Sequence, residues 1–327
     1  MSTALDRIVD SYVSMLLADH PVLATFLGVH DHDSELGEFA PAAQEEKNDH
    51  LKGLLSELET LSLDDEPIEV RIDGAGLRAS LRRSVFEHEE LRTHERKPIE
   101  YVSTALSGCN ELVLGDFAPL PDRAHSLLGR LEQIPGVLRA MRENIKQSPA
   151  VFATIGAEIA RGGVGFVTAV VPGIAEEVPS LRTDLERASA AAGEAFGEAA
   201  DYLEGLADGP ELPFHIGRQR YEWLLREYHM LDMDSADLRE LGRRVLAETR
   251  EKMDDVAREI DPSRTWHEIV DDLKSDHPPA GGLRQYYASE MARAREFVFE
   301  HDLVSVGEGE ELEVIDTPVF LRTILPY

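Results

Sequence analysis

Histidine and carboxylate side chains lie closest together in the stretch His30-Asp31-His32-Asp33. Imidazole and carboxylate groups are good ligands for zinc or iron. On an extended segment the two histidines would share one face and the two aspartates the other, because side chains alternate along a strand. The alternative is a polar loop after Gly28, in which Asp and His side chains cap helices or bond to local backbone. The pattern favours the loop, so we predict no metal ligands here.

Three His-Glu pairs could begin the H-E-x-x-H helix of a zinc peptidase, namely 88–89, 94–95 and 267–268. That motif needs a second histidine one helical turn after the first. Arg92, Pro98 and Asp271 occupy those positions. His88 and His94 are six residues apart, a spacing that does not place both on one face of a helix. The sequence therefore predicts neither metal-binding nor catalytic residues in this chain.

Two further motifs are better explained by packing than by chemistry. Cys109 is the single cysteine, so no intrachain disulfide can form, and we expect a small buried side chain rather than a nucleophile. The Gly-rich stretch 162–165 lacks the Lys-Ser or Lys-Thr of a phosphate-binding loop. Close packing of helices is the expected role of these glycines.

Apolar residues recur at intervals of three and four along most of the chain, which predicts a mainly α, multi-helical fold. Helices are expected over 3–19, 42–62 and 181–206, and Ile134-Pro135-Gly136 is expected to separate two others. Near the C-terminus, Leu312 and Val314 alternate with acids, which predicts a minor β-strand element ending at Thr317-Pro318. The break at Asp208-Gly209-Pro210 suggests two helical regions, 1–209 and 210–327.

Composition limits the partners. The 327 residues include 63 Asp plus Glu against 33 Lys plus Arg, a formal charge of -30. Such a surface repels phosphate backbones and anionic lipid headgroups, so we expect neither nucleic acid nor membrane as a partner. Acid-rich, lysine-poor surfaces suit high salt, which favours a halophilic source. With neither a signal peptide nor an apolar stretch approaching membrane-spanning length evident, we expect a cytoplasmic protein.

Five blocks of sequence, in this order and spacing, resemble one protein family. They are HPVLATFLGVHDHDSELGEF (20–39), RLEQIPGVLRAMRENI (130–145), EIARGGVGFVTAVVP (158–172), the segment 218–253 and LEVIDTPVFLRTILPY (312–327). By these blocks the chain resembles the N-terminal portion of the domain-of-unknown-function 885 (DUF885) family, which is itself similar to helical zinc peptidases. A Gly-x-His element of the family matches Gly28 and His30, followed by Asp33. The resemblance makes His30 and Asp33 candidates for a cleft or structural polar cluster.

The resemblance also implies a function. The presumed catalytic signature of the family, H-E-x-x-P-G-H-H, lies downstream of Tyr327, so the chain is expected to be truncated. In the complete protein the resemblance implies zinc, a peptide substrate, and a glutamate that activates zinc-bound water. This chain would be the non-catalytic helical portion that walls a peptide-binding cleft, inactive alone and without a cofactor of its own.

Two other classes of function stay open. One is a stand-alone acidic helical binding module with no enzymatic activity, whose cleft would favour basic ligands. The other is a hydrolase that uses His30 and Asp33 as acid and base. The sequence gives neither the substrate nor the oligomeric state.

Overall fold

The computed structural model describes residues 3–307, 309–310 and 312–317. They form two compact units, unit 1 up to Met233 and unit 2 from Asp234 onward. Helices dominate both units, which confirms the mainly helical fold. The helices of unit 1 are α1 (Thr3–Asp19), α2 (Pro21–Phe26), α3 (Pro41–Glu59), α4 (Ile68–Phe86), α5 (Pro98–Leu114), α6 (Leu120–Asn144), α7 (Ala150–Ala169), α8 (Val171–Glu177), α9 (Arg182–Ala207) and α10 (Arg218–Trp223). Those of unit 2 are α11 (Ser235–Ile260), α12 (Trp266–Leu273) and α13 (Leu283–Glu300).

The predicted β-strand near the C-terminus is wrong as far as the structure describes it. Residues 312–317 form no strand, and neither does any other described residue. A strand needs a partner strand to complete its ladder of hydrogen bonds. Here the carbonyl of Val314 accepts instead from Arg284 Nε at 2.9 Å. Pro318, the predicted end of the strand, lies outside the described residues.

The break at 208–210 ends α9 as predicted but does not end unit 1. After Ala207 the chain runs on through α10 and a π-helical turn, Leu224–Tyr228, and both remain in unit 1. The compact units divide between Met233 and Asp234. Two domains meeting at 209/210 stay a prediction.

Two apolar clusters stabilise unit 1. The smaller lies among α1, α3 and α4 and includes Leu5, Ile8, Leu54, Leu58, Val70, Leu77 and Leu81. The larger is built by α5, α6, α7 and α9 around side chains such as Tyr101, Leu131, Leu138, Phe166, Phe196 and Leu203. Helices with one apolar face must bury it against a neighbour, and these two sets of helices do so separately.

The predicted break at Ile134-Pro135-Gly136 is also wrong. Pro135 lies inside α6, which runs without interruption from Leu120 to Asn144. A proline in a helix interior removes one amide donor and disfavours the helix locally. Ile134 and Leu138 on either side are fully buried in the larger cluster. The burial of this face therefore outweighs the local cost of the proline.

Among the described residues, the segment Ala150–Glu177 is long and apolar enough to cross a membrane, by length and composition alone. This corrects the expectation that no stretch approaches that length. Such a test is also met by core helices, and one face of α7 is buried in the larger cluster. Packing accounts for the apolar character of that face.

Gly163 brings α7 close to α9, as predicted for the glycine-rich stretch. A Cβ atom at this position would lie 2.7 Å from ring atoms of Phe196, which is fully buried. On the same helix, a Cβ at the exposed Gly165 would meet no atom within 4 Å. The two glycines therefore differ in packing but share a helical setting.

We expect Gly163→Ala to lower the free energy of unfolding by about 1–3 kcal/mol, because the cost of crowding the Phe196 ring exceeds the gain in helix propensity from alanine. Gly165→Ala is the matched control and should raise it by up to about 1 kcal/mol. Urea denaturation followed by circular dichroism measures both. If the two variants changed stability in the same direction, Phe196 would not be restricting residue 163.

Two helices of unit 2 begin at residues whose side chains cap the first turn. Asp234 caps α11 by accepting from the amides of Ala236 and Asp237. Thr265 and Glu268 form a capping box at the start of α12, which satisfies amides that have no partner within the helix. The described part of unit 2 nevertheless buries few apolar side chains, those of Ala257 and Ile269.

Candidate functional site

The His30–Asp33 stretch is a loop, and it does not act as one cluster. Asp33 is 9% exposed and accepts a hydrogen bond from Thr25 Oγ1 at 2.7 Å. His30 Nδ1 lies 3.0 Å from Asp33 Oδ2, and its ring stacks on Phe117 with centroids 4.0 Å apart. His32 instead lies beside Glu35, with His32 Nδ1 3.3 Å from Glu35 Oε2. The two histidines therefore do not face a common ligand.

A fully buried arginine connects this loop to the core. Arg130 on α6 is 0% exposed. Its Nη2 donates to Thr25 Oγ1 at 2.6 Å and its Nε to the Glu35 carbonyl at 3.0 Å, while Nη1 donates to the Gly108 carbonyl. Thr25 in turn donates to Asp33. His30 and Asp33 thus belong to a network that fastens the loop to α5 and α6.

Sequence reasoning missed this arginine, although a signal for it was present. Arg123 and Arg130 are seven residues apart, so they share a face of α6 with Leu127 and Ile134, and all four are buried. Arg123 donates to the carbonyls of Leu112 and Ala118 at 2.8 Å each. A charged residue at helical spacing within an apolar stripe indicates such a buried donor.

Gly37 allows the loop to turn back against the end of α1. Its φ of +89° is a conformation that L side chains rarely adopt. A Cβ here would also lie 2.9 Å from the Asp19 carbonyl oxygen. The turn places Phe39, two residues later, at the edge of a cavity in unit 1.

This cavity has a volume of about 220 Å³ and lies where the two apolar clusters of unit 1 meet. Its walls come from α1, α3, the end of α4, the start of α5 and the segments between them. The lining side chains are mostly polar or aromatic, and they include Tyr12, Asp19, His20, Phe39, Gln44, Lys47, Asn48, Ser84, Glu87, His88, Thr93, His94, Glu100 and Tyr101.

His88 and His94, which were predicted not to share a face of a helix, stack on each other in this cavity. A π-helical turn, Glu87–Leu91, follows α4, and Arg92 then adopts a left-handed conformation with φ +49°. Because the helix ends there, His88 and His94 are brought together, with ring centroids 4.3 Å apart and nearly parallel planes. Both rings are largely buried. Burial lowers the pKa of His94, and the neighbouring His88 lowers it further.

The histidine pair does not make a zinc site with its neighbours. Catalytic zinc usually has three protein ligands. Within residues 3–307, 309–310 and 312–317, no three His, Cys, Asp or Glu side chains are grouped so as to hold a metal ion. The His30–Asp33 loop likewise supplies one imidazole and one carboxylate at short range. The described residues therefore do not fit the zinc that the family resemblance implies.

Asn48 presents a buried acceptor at the cavity. It is 3% exposed, and its Nδ2 donates to Glu89 Oε1 at 3.0 Å. Its Oδ1 is buried and has no hydrogen-bond partner. Leaving a buried acceptor unsatisfied costs about 1–3 kcal/mol, so most such groups in proteins have a partner. Asn48, a lining residue of the cavity, therefore holds an unsatisfied acceptor.

The aromatic wall is held rigidly. Tyr101 is 1% exposed, and its hydroxyl donates to the His94 carbonyl at 2.6 Å while accepting from Asn144 Nδ2 at 2.9 Å. Burial raises the pKa of Tyr101 to about 12. Phe39 packs against it with ring centroids 5.2 Å apart. At neutral pH this wall is therefore uncharged and preorganised.

Comparisons with known proteins agree with the family resemblance. The family model described as bacterial protein of unknown function (DUF885) matches residues 21–325. No curated protein matches the sequence significantly. Among solved structures, the chain is similar to "a putative lipoprotein of unknown function from Shewanella oneidensis", with a TM-score of 0.69 and 18% identity over 97% of this chain and 61% of that one. This chain thus spans less than two thirds of that protein, and the likeness is one of fold alone. Since the family model covers most of the sequence, the chain belongs to the DUF885 family of bacterial proteins of unknown function.

Proposed function

We propose that this chain is the non-catalytic helical part of a protein that resembles a zinc-dependent peptidase, and that unit 1 forms part of the wall of its peptide-binding cleft. The chemistry would come from the H-E-x-x-P-G-H-H segment of the family, a motif that the 327 residues do not contain. A peptide would be the substrate of the complete protein, and zinc its cofactor.

The observation that carries this proposal is the unit 1 cavity lined by Tyr12, Asn48 and Tyr101. It combines carboxylates, imidazoles and a rigid aromatic wall with a buried acceptor that lacks a partner. Ligand sites are typically concave, with aromatic walls and a few convergent polar groups. The same residues offer no three-ligand metal group, so the cavity is suited to binding rather than to metal-assisted hydrolysis.

Elemental analysis and peptidase assays test the proposal together. The isolated chain is expected to bind no stoichiometric zinc and to cleave no peptide. A polypeptide extended through an H-E-x-x-P-G-H-H segment should bind one zinc ion and hydrolyse peptides until a chelator is added. One tightly bound zinc in the isolated chain, lost on replacing His30, His88 or His94, would contradict the proposal.

The stand-alone binding module remains the second candidate function. It is favoured by one observation, that every residue lining the cavity belongs to unit 1. Full zinc occupancy of the extended polypeptide without hydrolysis of any peptide in a library would make this candidate the better one. The His30–Asp33 hydrolase loses support, because both side chains are engaged in the Arg130 network.

The cytoplasm remains the proposed compartment. The Shewanella oneidensis protein of similar fold is described as a putative lipoprotein, so a location outside the cytoplasm is the alternative. Fractionation of cells that express this chain, followed by immunodetection, distinguishes the two compartments.

A further inference from the structure

We propose that the unit 1 cavity binds a protonated primary amine, as found at the N-terminus of a peptide. This inference rests on the proposed function, since it names the part of the peptide that the cavity would hold. Three features carry it: the unpartnered Asn48 oxygen, the balance of charges in the lining, and the aromatic wall.

The first feature selects a hydrogen-bond donor. Asn48 Oδ1 can only accept, and the bond from Asn48 Nδ2 to Glu89 fixes which end of the amide faces away from that carboxylate. The imidazoles of His88 and His94 can each offer one further acceptor nitrogen when neutral. An ammonium group has three donors and no acceptor, so it matches a site whose unpaired atoms are hydrogen-bond acceptors.

The second feature selects a positive charge. Three carboxylates line the cavity, Asp19, Glu87 and Glu100, against one ammonium group, that of Lys47. Lys47 is already engaged, since its Nζ lies 3.6 Å from Asp19 Oδ1 and donates to the Glu38 carbonyl at 2.9 Å.

The carboxylates of Glu87 and Glu100 do have cationic partners. Arg83 Nε lies 2.9 Å from Glu87 Oε1, and Lys97 Nζ lies 3.9 Å from Glu100 Oε1. Neither Arg83 nor Lys97 lines the cavity. The carboxylate ends of these pairs thus line the cavity and their cationic ends do not, so a second cation would be attracted there more than an anion. Pairing cancels most of the net charge, and burial raises the pKa of Glu100, so this attraction comes mainly from Asp19 and Glu87.

The third feature fits an ammonium of limited size. Tyr12, Phe39 and Tyr101 present aromatic groups to the cavity, and aromatic faces attract ammonium groups. Lys47 already shows this contact, with its Nζ 5.8 Å from the Phe39 ring centroid. At about 220 Å³ the cavity is smaller than sites for drug-sized ligands, so it suits one terminal residue rather than a long segment.

Isothermal titration calorimetry with three probes tests this on the full chain. L-alanine amide carries the ammonium of a peptide terminus, N-acetyl-L-alanine amide lacks it, and putrescine carries ammonium groups without a peptide bond. We expect alanine amide to bind at least tenfold more tightly than its acetylated analogue. Putrescine binding as tightly as alanine amide would identify a free amine as the ligand, and weaker binding would identify a peptide terminus.

Variants separate binding from folding. Asn48→Leu removes the unpartnered oxygen and should weaken alanine amide at least tenfold, yet leave the melting temperature unchanged or higher, because an apolar side chain of similar shape has no unsatisfied acceptor. Glu87→Gln should weaken binding as well. Glu198→Gln is the control, since Glu198 also pairs with an arginine, Arg142, at 2.8 Å but lies outside the cavity.

Equal binding of the amine and its acetylated analogue, no detectable binding of either amine probe, or unchanged binding in Asn48→Leu would each overturn the proposal. None of these results would decide whether the extended polypeptide binds zinc and hydrolyses peptides. Failure of the amine site and failure of the proposed function are therefore distinguishable.

Discussion

Replacing Arg130 by alanine is expected to lower the free energy of unfolding of unit 1 by roughly 3–5 kcal/mol, the loss typical when one partner is removed from a buried charged network. The guanidinium is fully buried and donates to Thr25, Glu35 and Gly108. Without it these acceptors stay buried, and each unsatisfied group costs about 1–3 kcal/mol. Asp33 would also lose its electrostatic attraction to Arg130.

Arg142→Ala is the matched control for this measurement. It lies on the same helix, is partly exposed, and makes a surface ion pair with Glu198 at 2.8 Å. Exposed pairs contribute about 0–1 kcal/mol, so this variant should unfold at nearly the wild-type urea concentration. Urea denaturation followed by far-ultraviolet circular dichroism compares the two. Similar losses in both variants would show that the buried network adds no more than a surface pair.

The two units are expected to behave very differently when produced separately. Residues 3–233 should fold into a helical protein with a cooperative melting transition, because both apolar clusters lie within them. Residues 234–317 should lose most of their helical signal. Fixing one residue costs about 1–2 kcal/mol of backbone entropy, whereas a buried aliphatic side chain returns about 1.5–3 kcal/mol. Unit 2 buries Ala257 and Ile269 among its described residues, which is far too little.

Circular dichroism at 222 nm during heating measures this difference, with the 3–233 fragment as the control for expression and handling. Unit 2 also leaves many apolar side chains exposed on its two long helices, so it gains little stability from burial. They include Val245, Leu246, Val256, Ile260, Tyr286, Tyr287, Phe297 and Phe299. A cooperative melt of residues 234–317 with full helical signal would contradict the expectation.

The helical fold was predictable where local signals and packing agree. Asp234 and the Thr265–Glu268 capping box mark helix starts by side-chain chemistry that acts within four residues. Pro135 shows the limit of such signals, because it is a strong local breaker that a buried face of α6 overrides. Leu312 and Val314 show the same limit, because alternating apolar and acidic residues do not form a strand without a partner strand.

The site was less predictable, because its residues are distant in sequence. Asn48, His88 and Tyr101 come from α3, a π-helical turn and α5, and no spacing rule joins them. The pairing of His88 with His94 depends on the end of a helix at Leu91, which periodicity did not reveal. Whether His30 and Asp33 serve a cleft in the complete protein stays untested, although the structure gives both a place in the Arg130 network.

Cys109 gives the protein an internal reporter of core opening. Its thiol is completely buried in the larger cluster, and burial raises its pKa to about 12. At pH 7 the reactive thiolate is then on the order of 10⁻⁵ of the folded population. A thiol reagent therefore modifies the chain only through states in which unit 1 has opened, and since no other cysteine competes, all labelling reports on such openings.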